Sequence, residues 1–164
     1  MKNSCFLLFF WLIVFNQISA QSFNLTDTVF KINDIFNPNY PILYEIGKKE
    51  ISPVSFPVLD NFADFMRKNP KLIIEVGYHT DSRCSKIYSS KLDLVRAKSV
   101  VDYLINKGIS KERLIPVGYG SEKPLVPDSL INQLETEQEK EAAHARNRRT
   151  EFKIISIDYT EQNK

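Results

Sequence analysis

The most informative segment of the chain lies between residues 77 and 97 and contains Gly77-Tyr78-His79-Thr80-Asp81-Ser82-Arg83, Tyr88-Ser89, Leu92-Asp93 and Arg96-Ala97. A β-branched apolar run precedes it, so we expect Asp81 in a loop after a buried strand. Asp93 is a candidate helix N-cap, which predicts Arg96 in the first helical turn. A carboxylate and a guanidinium facing one cleft suit a zwitterion, with its ammonium on Asp81 and its carboxylate on Arg96. The pattern therefore predicts a binding site in preference to a catalytic site.

Two readings of Asp81 and Arg96 are open at this point. Helix N-termini attract anions through free N–H groups and the helix dipole, and Arg96 would add a bidentate fork at the same end. Alternatively, the two side chains pair with each other or with solvent, as surface charges usually do. Residue types alone favour the second interpretation, an ordinary pair of surface charges.

The hydrophobic pattern around this segment predicts alternating strands and helices. Strands are predicted at 42–46, 72–76, 114–117 and 150–155, with a short edge strand at 28–32, and helices at 55–69, 93–107 and from 136. The order is β-α-β-α-β-α-β. The predicted fold class is α/β: a two-layer βαβαβ(α)β sandwich with a mixed sheet and helices on one face.

Capping residues, glycines and prolines predict where these elements begin and end. Asn69-Pro70 and Gly108 are expected to end the first and second helices. Thr136 and Glu139 form a capping box that opens the third. Pro116 predicts that its strand is broken or lies at an edge of the sheet, and residues 118–120 are expected to turn the chain away.

The first twenty residues are predicted to be a secretory signal peptide. Lys2 is followed by an uncharged apolar run over 5–15 and by Ser19-Ala20, which predicts cleavage after Ala20. A membrane anchor is the alternative, but the 16 residues from 5 to 20 are shorter than the ~20 that spanning needs. The predicted organisation is a signal peptide at 1–20, an arm at 21–41, a domain at 42–158 and a polar tail at 159–164.

Cleavage would leave a nearly neutral chain with one cysteine. Removing Lys2 from the 22 basic residues leaves 21 against 20 acidic residues, which gives no electrostatic case for nucleic acid or for an anionic membrane surface. Cys84 would be the only cysteine, so no intramolecular disulfide is expected despite export.

Other chemistries are weaker on this sequence. His79, Asp81, Cys84 and Ser85 could supply a catalytic nucleophile and a general base. No motif in the sequence, however, indicates an oriented histidine or an oxyanion site. His79, Asp81, Cys84 and His144 show no recognised metal-ligand spacing. Arginines 146, 148 and 149 are balanced by glutamates earlier on the same helix, which is typical of dipole matching rather than of nucleic-acid binding. We predict no enzyme, no cofactor and no metal.

The motifs in this chain resemble those of the OmpA-like C-terminal domain family, which includes the peptidoglycan-associated lipoprotein and MotB. The resemblance spans about 43–155 and rests on Gly77-x-His79-Thr80-Asp81-Ser82-Arg83, Tyr88, Leu92, Arg96-Ala97, Val100, Tyr103-Leu104, Gly108-Ile109, Arg113-Leu114, Gly118-Tyr119-Gly120, Pro124 and Asn147-Arg148-Arg149-Thr150-Glu151. It implies non-covalent binding of peptidoglycan through the diaminopimelate of the stem peptide. Diaminopimelate carries an amine and a carboxylate on one side-chain carbon, which is the zwitterion inferred above.

The resemblance also assigns residues. It implies that Asp81 and Arg96 hold diaminopimelate, and that a secondary set lines or braces the pocket: Thr80, Tyr88, Leu92, Asn147 and Arg148. The chain departs from the family pattern at Cys84, where glycine is usual, at Ser89, where asparagine is usual, and at Asp93, where serine is common. Neither charged ligand residue is affected.

These observations predict an exported, periplasmic module associated with the outer membrane of a Gram-negative envelope. Its expected partners are peptidoglycan and an outer-membrane protein reached through the arm, with no nucleic acid. A peptidoglycan hydrolase or amidase acting on the same peptide is the alternative.

Overall fold

The computed structural model describes residues 21–38, 40–45, 48–83 and 86–160, with the side chains of 86–90 excluded. Its elements, in chain order, are β1 (Ile35–Phe36), α1 (Phe56–Lys68), β2 (Ile73–His79), α2 (Lys86–Asn106), β3 (Leu114–Gly120), α3 (Asp128–Ile131), α4 (Glu137–Asn147) and β4 (Arg149–Ser156). Short 3-10 helices at Pro53–Ser55 and Lys111–Arg113 lead into α1 and β3.

The four strands form one mixed sheet in the order β1-β4-β2-β3. β2 pairs in parallel with β3, and β4 runs antiparallel to both β1 and β2. The predicted α/β fold with a mixed sheet is therefore confirmed, and so is the edge position of the strand that contains Pro116.

The core lies between the sheet and helices α1 and α2. On β4 the side chains of Phe152 and Ile154 are fully buried, in alternation with more exposed neighbours. Phe62 of α1 stacks on Phe152 with ring centroids 3.9 Å apart. Phe23 from the arm joins the same cluster and stacks on Phe65. This packing fixes the strand ends that carry the candidate site.

The predicted helix boundaries agree with the structure at three points. The α1 helix ends at Lys68 with Asn69 as its C-cap. Gly108, with φ of 88°, follows α2 in the left-handed conformation that glycine adopts readily. The capping box at Thr136 and Glu139 is present at the start of α4.

The predicted start of the second helix is wrong. The α2 helix begins at Lys86, so Asp93 is an interior residue and not its N-cap, and Arg96 is not in the first turn. The segment from Lys86 to Asn106 contains no glycine or proline, so no residue in it interrupts the helix.

Three strand predictions also need correction. Residues 118–120 continue β3 instead of turning away, because Gly118 lets the backbone of α2 pack directly on the strand. The edge strand lies at Ile35–Phe36 and not at 28–32, since Asn33 adopts φ of 74° and turns the chain before it pairs. Within the described part of 42–46, a single bridge between Tyr44 and Ile51 replaces the predicted strand.

The short helix α3 was not predicted, because four residues are too few to show a helical period. Over the described ranges, no helix has the length and apolar character needed to cross a bilayer. Residues 1–20, with the predicted signal peptide, and Cys84 lie outside the described residues.

Candidate ligand-binding site

The candidate site lies where three strand ends meet at one edge of the sheet. The parallel strands β2 and β3 end here at His79 and Gly120, and the antiparallel strand β4 begins here at Arg149. The backbone N–H of Thr80 donates to the carbonyl of Gly120 at 3.0 Å and joins the two strand ends. Asp81 follows directly, so the sheet fixes the position of its carboxylate.

The Asp81 carboxylate is 3% exposed and is surrounded by donors. Its Oδ1 accepts from the backbone N–H and Nε of Arg83, at 3.0 and 3.3 Å. Its Oδ2 accepts from Arg83 Nη2 at 2.9 Å and from Arg148 Nη1 at 2.6 Å. Burial by itself raises the pKa of this carboxyl, but the hydrogen bonds from Arg83 and Arg148 outweigh burial and lower the pKa to about 2. Asp81 is therefore ionised at neutral pH.

A second acid closes these contacts into a ring. Glu141 of α4 accepts from Arg83 Nη1 at 2.8 Å and from Arg148 Nη2 at 2.7 Å. We call Asp81, Arg83, Glu141 and Arg148 the charged ring. Each acid in it contacts both arginines, and the pKa of Glu141 is lowered by these hydrogen bonds.

Arg96 lies in a separate aromatic clamp. Its guanidinium carbon is 5.0 Å from the ring centroid of Tyr44 and 5.3 Å from that of Tyr78. Its Nη1 donates to the Tyr78 hydroxyl at 2.9 Å, and its Nε donates to the Lys48 carbonyl at 3.1 Å. Burial raises the pKa of both tyrosines, so both hydroxyls are neutral at physiological pH. Tyr44 and Tyr78, the aromatic clamp, therefore hold the Arg96 guanidinium in place. Its Nη2 makes no hydrogen bond to any described residue.

Asp81 and Arg96 do not pair with each other. Both are among the described residues, and no hydrogen bond or ion pair joins them. The alternative of a mutual surface pair therefore does not hold in this structure. Asp81 is held by the charged ring, and Arg96 is held by tyrosines and a carbonyl.

Asp93 lies beneath this site instead of capping a helix. Its side chain is 1% exposed, and its Oδ2 makes no hydrogen bond in the described part of the chain. Burial raises the pKa of its carboxyl to about 6, although the charge of Arg96 and the backbone N–H of Gly120 act in the opposite direction. A buried carboxyl thus lies close enough to Arg96 to interact with its charge.

The predicted secondary residues have different roles. Arg148 contacts Asp81 directly, and Thr80 ties β2 to β3 through its backbone. Asn147 is buried and holds the loop before α3: its Oδ1 accepts from the N–H groups of Leu125 and Val126, at 2.8 and 2.9 Å. Leu92 is partly buried on α2. The side chains of Tyr88 and Ser89 lie outside the described residues.

Sequence reasoning gave no role to Arg83, Glu141, Tyr44 or Tyr78. Strand alternation offered a signal for Tyr78, because it shares the inward parity of Ile74 and Val76 on β2. Glu141 reaches the site only through the packing of α4, for which no local pattern exists.

His79 braces the strand ends from the other face of the sheet. Its Nε2 lies 3.2 Å from Glu151 Oε2, and its ring stacks on Tyr119 at 4.6 Å. Burial lowers the pKa of the His79 imidazole, against the opposing effect of Glu151. In the described ranges, no three acidic, histidine or cysteine side chains are grouped so that they could hold a metal ion.

Comparison with known families assigns the chain to a class. The family model described as the OmpA family matches residues 43–139, and the chain belongs to this family.

Individual relatives share this region. Outer membrane porin F of Pseudomonas fluorescens is 32% identical over 113 residues, which are 69% of this chain and 32% of the porin. The peptidoglycan-associated lipoprotein of Legionella pneumophila is 28% identical over 114 residues, 70% of this chain and 59% of the lipoprotein. The chain thus matches about a third of the porin and less than two thirds of the lipoprotein. The solved structure of a MotB-like protein from Desulfovibrio vulgaris is 25% identical, with a TM-score of 0.57 over 71% of this chain and 72% of that one.

Proposed function

We propose that this protein is a non-catalytic module of the cell envelope that binds peptidoglycan through the diaminopimelate of the stem peptide. The relative from Legionella pneumophila is named for its association with peptidoglycan, and membership of the same family supports the same ligand class here. Asp81 would take the ammonium of the diaminopimelate side chain, and Arg96 would take its carboxylate.

The observation that carries this proposal is the separate anchoring of the two charges. Asp81 is ionised and fixed at the end of β2, while Arg96 is oriented by Tyr44 and Tyr78. Asp81 and Arg96 do not neutralise each other, so the two charges remain separate. Asp81 is paired with Arg83 and Arg148, and a ligand ammonium would take the place of one of these donors. Here each charge has its own supports, and the Arg96 Nη2 donors are available within the described part of the site.

We further propose that the protein acts in the periplasm, next to the outer membrane. The porin from Pseudomonas fluorescens is named as an outer-membrane protein, which supports this compartment. Residues 1–20 would serve as the signal peptide, residues 21–41 as the arm, 42–158 as the domain and 159–164 as the tail. An outer-membrane protein would be the second partner. The intact mass of the mature chain distinguishes removal of residues 1–20 from their retention.

Co-sedimentation with purified sacculi tests the binding site. We expect Asp81→Ala and Arg96→Ala each to weaken binding more than tenfold, because each removes the partner of one ligand charge. Asp102→Ala and Arg146→Ala are matched controls, since each changes an exposed residue by the same charge. Both controls should sediment like the parent.

Two results would contradict the proposal. Sedimentation of both Asp81→Ala and Arg96→Ala at the parent level would reject the site. Release of soluble muropeptides by the parent protein would reject the non-catalytic assignment and favour a hydrolase or amidase.

A further inference from the structure

The Asp81 carboxylate has no vacant face in the structure. Four donors from Arg83 and Arg148 use its two oxygens, and the residue is 3% exposed. A ligand ammonium can reach Asp81 only if one of these donors moves away. The affinity of the site therefore depends on which donor leaves and on what that departure costs.

The side chain of Arg83 is the donor that moves most easily. It is 50% exposed, whereas Arg148 is 34% exposed and its backbone N–H bonds to the His144 carbonyl at the end of α4. The backbone N–H of Arg83 can remain on Oδ1 while its guanidinium swings out. One side-chain rotation thus removes one donor from each oxygen of Asp81 and leaves Arg148 on Oδ2.

Glu141 gives the displaced guanidinium another partner. Arg83 Nη1 already bonds to Glu141 Oε2 at 2.8 Å, and the Glu141 side chain is largely open to solvent. The displaced cation would keep this contact and regain water on its remaining donors. Displacement therefore loses the bonds to Asp81 without burying an unpaired charge.

We propose that Arg83 is a built-in competitor that occupies the ammonium position on Asp81 and lowers the affinity of the site for its ligand. This inference rests on the proposed function. Binding exchanges one cation on Asp81 for another, so the net electrostatic gain is small. Without the Arg83 side chain, the ligand ammonium would meet a carboxylate held by Arg148 and by the backbone N–H of residue 83.

The test is a calorimetric titration of the purified protein with a tripeptide that contains diaminopimelate. We expect Arg83→Gln to bind about five- to tenfold more tightly than the parent, since the ligand no longer displaces the two charge-assisted hydrogen bonds from the Arg83 side chain. Arg83→Lys, which keeps the charge but loses the fork, should fall between them. Arg146→Gln, with the same charge change at an exposed position, should bind within twofold of the parent.

The salt dependence of ligand affinity distinguishes competition by Arg83 from a change in the structure of the site. The parent exchanges cation for cation and should respond weakly to salt, whereas Arg83→Gln forms a new charge pair and should lose affinity more steeply as salt rises. Thermal unfolding of each variant verifies that it is folded.

The outcomes separate this inference from the proposed function. If Asp81→Asn abolishes binding while Arg83→Gln binds no more tightly than the parent, Arg83 is not a competitor and the diaminopimelate site stands. If Asp81→Asn binds like the parent, the proposed site is wrong and the role of Arg83 falls with it.

Discussion

Gly118→Ala is expected to destabilise the folded protein by about 3 kcal/mol, near the upper end of what overpacking usually costs. A Cβ on residue 118 would lie 3.0 Å from the carbonyl carbon of Asp93 and from Leu94 Cα, and closer still to the Leu94 nitrogen. These are backbone atoms of α2 and cannot rotate aside. The helix would have to move off β3, and Arg96 would move with it.

Urea unfolding measures this effect as a lower midpoint at constant slope. Gly108→Ala is the matched control, because a Cβ there meets no atom within 4 Å and only the φ of 88° penalises alanine. We expect the control to lose about 1 to 2 kcal/mol. An equal loss of unfolding free energy in Gly118→Ala and Gly108→Ala would contradict the close packing of α2 on β3 at Gly118.

Asp93→Asn is expected to stabilise the protein by about 2 to 3 kcal/mol at pH 7.5. The pKa of Asp93 is about 6 in the folded state, against an ordinary value of 3.8. At a pH between 3.8 and about 6, the Asp93 carboxyl is ionised in the unfolded chain and protonated in the folded protein. The free energy of unfolding therefore falls as the pH rises through this range. Well above pH 6 the parent carries the full cost of the buried charge. Asparagine carries no charge and can still accept from the N–H of Gly120, and its unpaired amide N–H group replaces the unpaired O–H of the protonated acid.

Chemical unfolding at two pH values measures the predicted gain. The difference between Asp93→Asn and the parent should shrink to near zero at pH 3.5, where the carboxyl is mostly protonated in both states. Asp102→Asn, at an exposed position of the same helix, should have little effect at either pH. A variant that is less stable than the parent at pH 7.5 would contradict the burial of an unpaired Asp93 carboxyl.

The fold could be predicted largely because its signals are local. The β-branched run before Gly77, the capping box at Thr136 and the stop at Gly108 each follow from neighbouring residues. The start of α2 could not be predicted in the same way. A capping residue and a buried polar residue look alike in sequence, and only tertiary packing places Asp93 inside the helix.

The site could be predicted only in part, for a related reason. The motif positions indicated Asp81, Arg96 and Arg148 as candidate site residues. They did not indicate the side chains that contact Asp81 and Arg96 in the structure. Tyr44 reaches Arg96 from the region after the arm, and Glu141 reaches Arg83 across 58 positions of sequence. Contacts of this kind depend on how elements pack, so no local pattern indicates them.

The proposed site recognises an amine and a carboxylate on one carbon. Titration of the purified protein with two tripeptides, identical except for diaminopimelate or lysine at the third position, tests this recognition. Lysine has the amine but lacks the neighbouring carboxylate that Arg96 would bind. We predict at least tenfold tighter binding of the diaminopimelate peptide, and loss of that preference in Arg96→Ala. Equal affinity of the parent protein for both peptides, or binding of neither, would contradict the account.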